Sequence, residues 1–128
     1  MGEVILFSKS LSLTDIRKRL SMPTTILPNL PSFTNGRHAM DLQVEDEGGK
    51  IWSMRCIIRK KGRKKPVLSR GWTKFVHKND LMTGDQVTFL KKQGTLLAHY
   101  YKIQVKKPVK VFGTILGYAP STHAVHTN

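Results

Sequence analysis

The densest group of chemically active side chains in this sequence is cationic. Seven of the eleven residues from 55 to 65 are basic and none is acidic; the seven are Arg55, Arg59, Lys60, Lys61, Arg63, Lys64 and Lys65. Cations at this density bind phosphate oxygens, because each phosphate they neutralise releases condensed counterions. Gly62 interrupts the run and Pro66 closes it, which predicts a flexible cationic segment at the rim of a sheet. The alternative interpretation is an ordinary solvated strand edge rich in lysine.

A second basic cluster lies nearer the N-terminus. It comprises Arg17, Lys18 and Arg19, and three hydroxyl residues precede it: Ser10, Ser12 and Thr14. Hydroxyl groups can bond to phosphates or base edges while the cations supply the attraction. Four acids, by contrast, are concentrated between residues 41 and 47, and none follows Asp85. This asymmetry predicts one face that repels a polyanion and one rim that attracts it.

The overall charge agrees with a polyanionic partner. Twenty-two Lys and Arg against eight Asp and Glu give the 128 residues a formal charge of +14, which must repel itself unless a polyanion is bound. The sequence contains neither a long apolar run nor a basic amphipathic helix, so we expect no membrane binding. Residues 1 to 7 contain no basic leader or cleavage motif, and we therefore expect an intracellular protein. Nucleic acid is the predicted partner.

Phosphate contacts give affinity, whereas sequence choice requires contacts with base edges. If the basic segments neutralise about six phosphates, affinity should fall roughly 10³-fold or more between 50 and 200 mM salt. A bidentate contact with a base contributes about 1 to 3 kcal/mol of discrimination. Arg59 and Arg63 are the predicted base readers, because a guanidinium fits guanine better than an ammonium does.

Other kinds of site find little support. Cys56 is the only cysteine, and the sequence has no nucleophile elbow and no phosphate loop of the type GxxxxGK[ST]. His123 and His126 would meet only if the last residues were helical. Asp41, Glu45, Asp46 and Glu47 are interpreted as solvated charge on a strand and turn. We therefore expect no enzyme activity, no metal, no cofactor and no small-molecule substrate.

The elements that must hold these residues are mainly strands. Apolar and polar residues alternate from 40 to 45, from 52 to 59 and from 101 to 106, and the Gly48-Gly49 turn joins the first two segments into a hairpin. Residues 86 to 90 give a shorter strand. The segment from Val4 to Lys9 is apolar on both faces apart from its end, which suggests an interior strand.

Two short helices are predicted beside the strands. Trp72, Phe75 and Val76 have helical spacing, and Pro23 can start a turn over residues 24 to 30. This pattern favours a barrel or sandwich. Trp52 and Trp72 are predicted to lie in the core, and Tyr100 is the aromatic residue kept as an exposed contact. We expect one domain over residues 1–107 and a partly mobile tail over 108–128.

The order of several short motifs resembles the plant B3 DNA-binding family over about residues 4 to 107. The first part carries Leu6-Phe7-Ser8-Lys9-Ser10-Leu11, Leu13-Thr14-Asp15-Ile16, Met22-Pro23 and Leu30-Pro31. The second part carries Asp46 to Gly49, Trp52, the basic stretch to Lys65, Leu68, Gly71-Trp72, Phe75-Val76, Leu81, Gly84-Asp85 and Val87-Thr88-Phe89. Single pieces are unspecific, whereas their order and spacing together are fairly specific.

The resemblance implies a seven-stranded open β-barrel, or pseudobarrel, with two short helices. It also implies a nuclear transcription regulator that holds the DNA major groove between an N-terminal arm, Lys9 through Lys18, and a C-terminal arm, Arg59 through Ser69. Thr14-Asp15-Ile16 stands where the family usually has Ser-Asp-Val. The following Arg17-Lys18-Arg19 is more basic than in the well-characterised auxin-response and seed-maturation branches, so their target sequences do not transfer. The resulting candidate DNA-binding residues are Lys9, Ser10, Ser12, Thr14, Arg17, Lys18, Arg59, Lys60, Lys61, Arg63, Lys64, Lys65 and Ser69. The alternatives are an RNA-binding basic β-barrel and a recognition domain associated with a nuclease.

Overall fold

The computed structural model describes residues 2–31, 38–58, 65–92, 100–111 and 113–120. Its strands are β1 (Glu3–Ser10), β2 (Leu20–Ser21), β3 (Ala39–Glu45), β4 (Ile51–Ile58), β5 (Pro66–Leu68), β6 (Gln86–Lys92), β7 (Tyr100–Val111) and β8 (Thr114–Pro120). Its helices are α1 (Leu13–Arg17), α2 (Trp72–Lys78) and a 3-10 turn over Thr24–Asn29. The mainly β fold with few short helices is confirmed.

Seven of the strands form one curled, half-barrel sheet in the order β1-β6-β7-β3-β4-β5-β2. Neighbours run antiparallel except β3 and β7, whose parallel register extends from Gln43 opposite Tyr100 to Glu45 opposite Lys102. β8 lies off this order and pairs with β7. The predicted seven-stranded open barrel is therefore confirmed, with one additional strand.

The predicted hairpin around Gly48-Gly49 is confirmed as β3 and β4. Leu42 lies opposite Met54 and Val44 opposite Trp52, and all four side chains are buried, as period-two alternation requires. Asp46 closes the turn, since its Oδ1 accepts bonds from the amides of residues 48 and 50, each at 2.9 Å. The apolar face of the hairpin thus forms one wall of the core.

Aromatic side chains fill much of that core, and the placement of both tryptophans is confirmed. Trp72 is fully buried and stacks on Phe75, with 5.8 Å between ring centroids. Trp52 meets the Phe75 ring edge-on at 5.3 Å. Tyr101 is also buried and donates from its hydroxyl to the Asn29 carbonyl over 2.7 Å, which ties β7 to the end of the 3-10 turn.

The prediction that the first strand is interior is wrong. β1 is the first strand in the sheet order and pairs with β6 alone within the described residues. Ile5 is 64% exposed, whereas Phe7 is buried and stacks on Phe89 at 5.6 Å. An unbroken apolar run is compatible with an edge strand as well as with a central one, so the run alone did not decide the position.

The region after residue 107 contains more strand than expected. β7 runs without interruption through Lys107 to Val111, and β8 pairs with it from Lys106 opposite Pro120 to Val111 opposite Thr114. The domain boundary near residue 107 stays a prediction. Among the residues described, no helix is long and apolar enough to cross a membrane.

Candidate nucleic-acid interface

Helix α1 lies directly after β1 and begins with a reciprocal cap. Ser12 is the N-cap: its Oγ accepts from the Asp15 amide at 3.2 Å, and Asp15 Oδ2 accepts from the Ser12 amide at 2.8 Å. Two amides that the helix leaves without partners are satisfied in this way. This helix was missed at the sequence level, although Ser12 followed three residues later by Asp15 is a variant of the known capping signal.

Asp15 also connects the elements around α1. Its Oδ1 accepts from Lys9 Nζ at 2.9 Å and from the Ser21 amide at 3.3 Å, and Lys9 Nζ donates further to the Ser21 carbonyl at 2.9 Å. Burial opposes ionisation of this carboxyl, but the donors from Ser12, Lys9 and Ser21 outweigh it and hold the pKa of Asp15 below its ordinary value. One buried carboxylate thus joins β1, α1 and β2.

A short antiparallel ladder brings the sequence after the N-terminal arm beside the C-terminal arm. Leu20 of β2 lies opposite Leu68 of β5, and Ser21 lies opposite Val67. Arg19 precedes Leu20 on one strand, and Ser69 follows Leu68 on the other. Because the strands are antiparallel, Arg19 and Ser69 lie at the same end of the ladder. Arg19 of the N-terminal cluster and Ser69, the last residue of the C-terminal arm, therefore lie side by side at the edge of the sheet.

The turn after β5 is fixed by backbone contacts with β4. The Ser69 amide donates to the Arg55 carbonyl at 2.9 Å, and the Arg55 amide donates to the Arg70 carbonyl at 2.8 Å. Gly71 follows with a φ of 87°, and a Cβ at this position would lie 2.1 Å from the Ser53 carbonyl oxygen. Only glycine fits this close approach. The end of the C-terminal arm is thereby anchored to β4.

Exposed cations surround this ladder. They are Arg17, Lys18, Arg19, Lys65 and Arg70. The four ion pairs formed within the described ranges use other lysines, at positions 9, 92, 102 and 107. The sequence holds one acid between residues 4 and 40, the buried Asp15, and none between 48 and 79. The surface at this end of the sheet therefore combines positive charge with little nearby negative charge, as phosphate binding requires.

The structure gives the predicted N-terminal residues different roles. Ser10, Thr14, Arg17 and Lys18 are exposed, and Ser10 Oγ donates to the Gly84 carbonyl at 3.4 Å. Ser12 is exposed as well but caps α1. Lys9 is half-buried and bonded to Asp15, so its ammonium group holds the arm in place.

The C-terminal candidates are covered in part. Lys65 is exposed and Ser69 is half-buried, at the two ends of β5. Arg59, Lys60, Lys61, Arg63 and Lys64 lie outside the described residues. Arg70 was not proposed from the sequence, but it is exposed beside Ser69. The sequence feature that could have indicated its exposure is a basic residue shortly after the apolar residues of β5.

The interpretation of the acids near residues 41 to 47 as solvated charge is wrong for Glu45 and Asp46, which are half-buried and bonded, whereas Glu47 is exposed but also accepts a hydrogen bond. Glu45 pairs with Lys92 and accepts from the Tyr100 hydroxyl at 3.1 Å, and the Lys92 bond chiefly lowers the pKa of Glu45. Asp46 Oδ2 accepts from Trp52 Nε1 at 2.9 Å, and Glu47 Oε1 from the Val105 amide at 2.8 Å. Asp41 is exposed. These hydrogen bonds connect β3 and the turn after it with β4 and β7. Alternation of residue types along a single strand does not reveal such contacts between strands.

Tyr100 and Cys56 do not provide a second site. Tyr100 is half-buried against Glu45, with Lys92 Nζ 4.6 Å from its ring centroid, so it is not the exposed contact that was predicted. Cys56 is fully buried, and burial raises the pKa of its thiol to about 12. A thiol in this environment is a poor nucleophile. Within the described ranges no three His, Cys, Asp or Glu side chains cluster as metal ligands would.

Comparison with protein families gives a match to the B3 DNA binding domain over residues 7–103. Similar curated proteins include the Arabidopsis thaliana AP2/ERF and B3 domain-containing transcription repressor TEM1, 30% identical over 85% of this chain and 35% of the relative. The Arabidopsis transcription factor RAV1, also with AP2/ERF and B3 domains, is 32% identical over 70% of this chain and 27% of its own length. The chain thus spans about a third or less of these relatives.

Solved structures show the same fold. An Arabidopsis FUS3–DNA complex superposes with a TM-score of 0.65 at 21% identity, covering 80% of this chain and 97% of the other. The Arabidopsis thaliana transcription factor LEC2, also solved with DNA, gives a TM-score of 0.67 at 18% identity, covering 81% and 94%.

Proposed function

Because the chain belongs to the B3 DNA-binding domain family, we propose that it binds double-stranded DNA in the major groove with sequence selectivity and regulates transcription. The observation that carries the proposal is the β2–β5 ladder, which places Arg19 and Ser69 beside each other at the cationic end of the sheet. Two separate basic segments on one rigid body can contact both sides of a groove at once. A single mobile tail would supply affinity without a fixed orientation.

Binding then has two components. Exposed cations such as Arg17, Lys18 and Arg70 contact phosphates, which supplies affinity and makes it depend on salt. Arg59 and Arg63 contact base edges, since a guanidinium donates two parallel bonds to O6 and N7 of guanine. The Asp15 bonds to Lys9, Ser12 and Ser21 hold α1 rigid, so the N-terminal arm is ordered before DNA arrives and less entropy is lost on binding.

The cellular role is proposed from the relatives. The names of two of them identify a transcription repressor and a transcription factor, and both proteins carry an additional domain type. We place this chain in the nucleus as a transcription regulator without enzymatic activity. The buried Cys56 and the bonded carboxylates of Glu45, Asp46 and Glu47 support the last point, because each has a structural role.

Selection of bound fragments from a random duplex pool tests the proposal. One enriched motif is the expected result, and a labelled duplex containing it should resist competition by single-stranded and duplex RNA. Preference for RNA would replace the proposal with the RNA-binding alternative. Incubation of plasmid with magnesium and purified protein should leave the plasmid intact, and persistent nicking would overturn the non-enzyme assignment.

A further inference from the structure

The hairpin of β7 and β8 carries a surface that DNA binding does not explain. Five of its apolar side chains are between 39% and 66% exposed: Val109, Val111, Ile115, Leu116 and Tyr118. The part of the hairpin in which β7 pairs with β8, residues 106–120, also lies after residue 103, where the match to the family ends. Scattered single apolar residues on a surface need no explanation. The register, however, places Ile115 and Tyr118 together on the face of the hairpin that carries Lys106 and Lys110, which indicates a contact surface.

The outer edge of β8 offers backbone partners as well. Within the described ranges β8 pairs with β7 alone, so every second residue of this seven-residue strand directs its amide and carbonyl outward. Proteins usually protect such edges with charged side chains. β1, at the end of the sheet order, contains Glu3 and Lys9, whereas no residue of β8 is charged. β8 therefore lacks the charges that protect β1, and its edge is protected instead by a bulge near Leu116 and by the terminal Pro120.

The charge near this edge indicates which partner fits. Lys106, Lys107 and Lys110 lie on β7 beside β8, and the sequence contains no acid after Asp85. Lys107 is bonded to Asp85, while Lys106 and Lys110 are exposed. A second copy of the chain would bring another +14 charges and the same lysines to the contact. DNA would meet apolar side chains and an uncharged strand.

We propose that β8 binds an extended segment of a partner protein that carries both apolar and acidic residues on one face, added as a further strand to the sheet. The partner backbone bonds to the outer edge of β8, its apolar side chains cover Ile115 and Tyr118, and its carboxylates lie near Lys106 and Lys110. This surface is distinct from the β2–β5 ladder, since β8 pairs with β7. A protein partner and DNA can therefore bind at the same time.

The proposal is tested by selecting phage-displayed random peptides of about twelve residues, enough to cover the seven residues of β8, on the full chain. Enriched peptides should carry both apolar and acidic residues at every second position, because residues two apart lie on one face of a strand. Their synthetic forms should bind the double variant Ile115→Ser, Tyr118→Ser about tenfold more weakly or worse, because large apolar contacts are lost while the charge of the chain is unchanged. The variant Ile5→Ser, on the edge strand β1, is the matched control and should bind normally.

Strand addition has its own signature. A peptide N-methylated at the residues whose amides face β8 keeps its side chains and charge but should lose binding, whereas methylation on the opposite edge should not. Selected peptides that bind the double variant as well as the original chain overturn the proposal, as does selection of peptides without acidic residues. So does a dimer in light scattering that the double variant abolishes, since a second copy would then occupy β8.

DNA binding by the double variant separates this proposal from the proposed function. Affinity for the selected duplex should be unchanged, because Ile115 and Tyr118 lie outside the core and outside the basic segments. Loss of DNA affinity with a normal melting temperature would place DNA on the hairpin and overturn the peptide assignment. Failure to select any peptide would overturn it too and would leave the DNA-binding result intact.

Discussion

Trp72 donates from its indole nitrogen to the backbone carbonyl of Asp15 over 2.7 Å, a buried hydrogen bond between residues 57 positions apart. It fastens α2, inside the core, to α1, which displays the predicted N-terminal cations. Replacing Trp72 with Phe should destabilise the fold by about 2 to 4 kcal/mol, because the carbonyl loses its donor and a cavity forms.

Urea unfolding measures this effect. Trp52→Phe is the matched control. The Trp52 indole donates to the half-buried turn residue Asp46, so this variant should lower the free energy of unfolding by less than Trp72→Phe does. Equal costs for the two variants would contradict the assigned importance of the α1–α2 connection.

The carboxylate of Asp15 makes stability depend on pH in a defined direction. Its pKa in the folded state is below the ordinary value of 3.8, so it favours the folded state above that pH and the contribution is lost as pH falls further. Asp15→Asn should therefore cost most near neutral pH, and its difference from the original chain should shrink below about pH 4. Denaturant unfolding from about pH 3 to pH 7 measures the difference. A difference that grows at low pH would contradict this assignment.

Arginines and lysines of the C-terminal arm should behave differently. Arg59→Ala with Arg63→Ala should relax sequence preference, because bidentate contacts to bases are lost, while alanine at Lys60, Lys61 and Lys64 should weaken binding to all sequences alike. Binding to the selected duplex and to single-base variants of it, each over a salt series, distinguishes the two. Identical behaviour of both sets would show that the proposed division of roles is wrong.

The exposed cations of the N-terminal cluster should contribute to affinity through phosphates. Each alanine at Arg17 or Lys18 should reduce the slope of log affinity against log salt by about 1 without changing the preferred sequence. Lys110→Ala is the control, since it is equally exposed but lies on the β7–β8 hairpin. A larger effect from Lys110 than from Arg17 would move the DNA surface to the hairpin.

Gly71→Ala should destabilise the domain more than Gly84→Ala does. Both glycines have positive φ, 87° and 95°, so both variants carry backbone strain of roughly 1 to 3 kcal/mol. The added methyl group at Gly71 would also meet the Ser53 carbonyl at 2.1 Å, whereas nothing lies within 4 Å at Gly84. Thermal melting compares the pair, and equal losses would show that the backbone around Ser53 can move aside.

Much of the fold is predictable from alternation and spacing, since buried side chains recur at period two in β3, β4 and β7 and at helical spacing in α2. The position of β1 is not, because exposed Ile5 and buried Phe7 look alike as residue types. The roles of Lys9 and Asp15 could not be predicted either. The sequence indicates that a lysine in a basic region contacts phosphate, and only the folded structure shows that Lys9 bonds to Asp15. The bonds of Glu45 and Glu47 depend on strands that are distant in sequence, which no local pattern contains.

The pairing of β1 with β6 has a consequence for synthesis. Glu3 lies opposite Lys92, so β1 has no partner in this sheet until nearly the whole matched region has been synthesised after it. Such distant pairings make folding slow. A nascent chain stopped before residue 86 would lack the strand that pairs with β1.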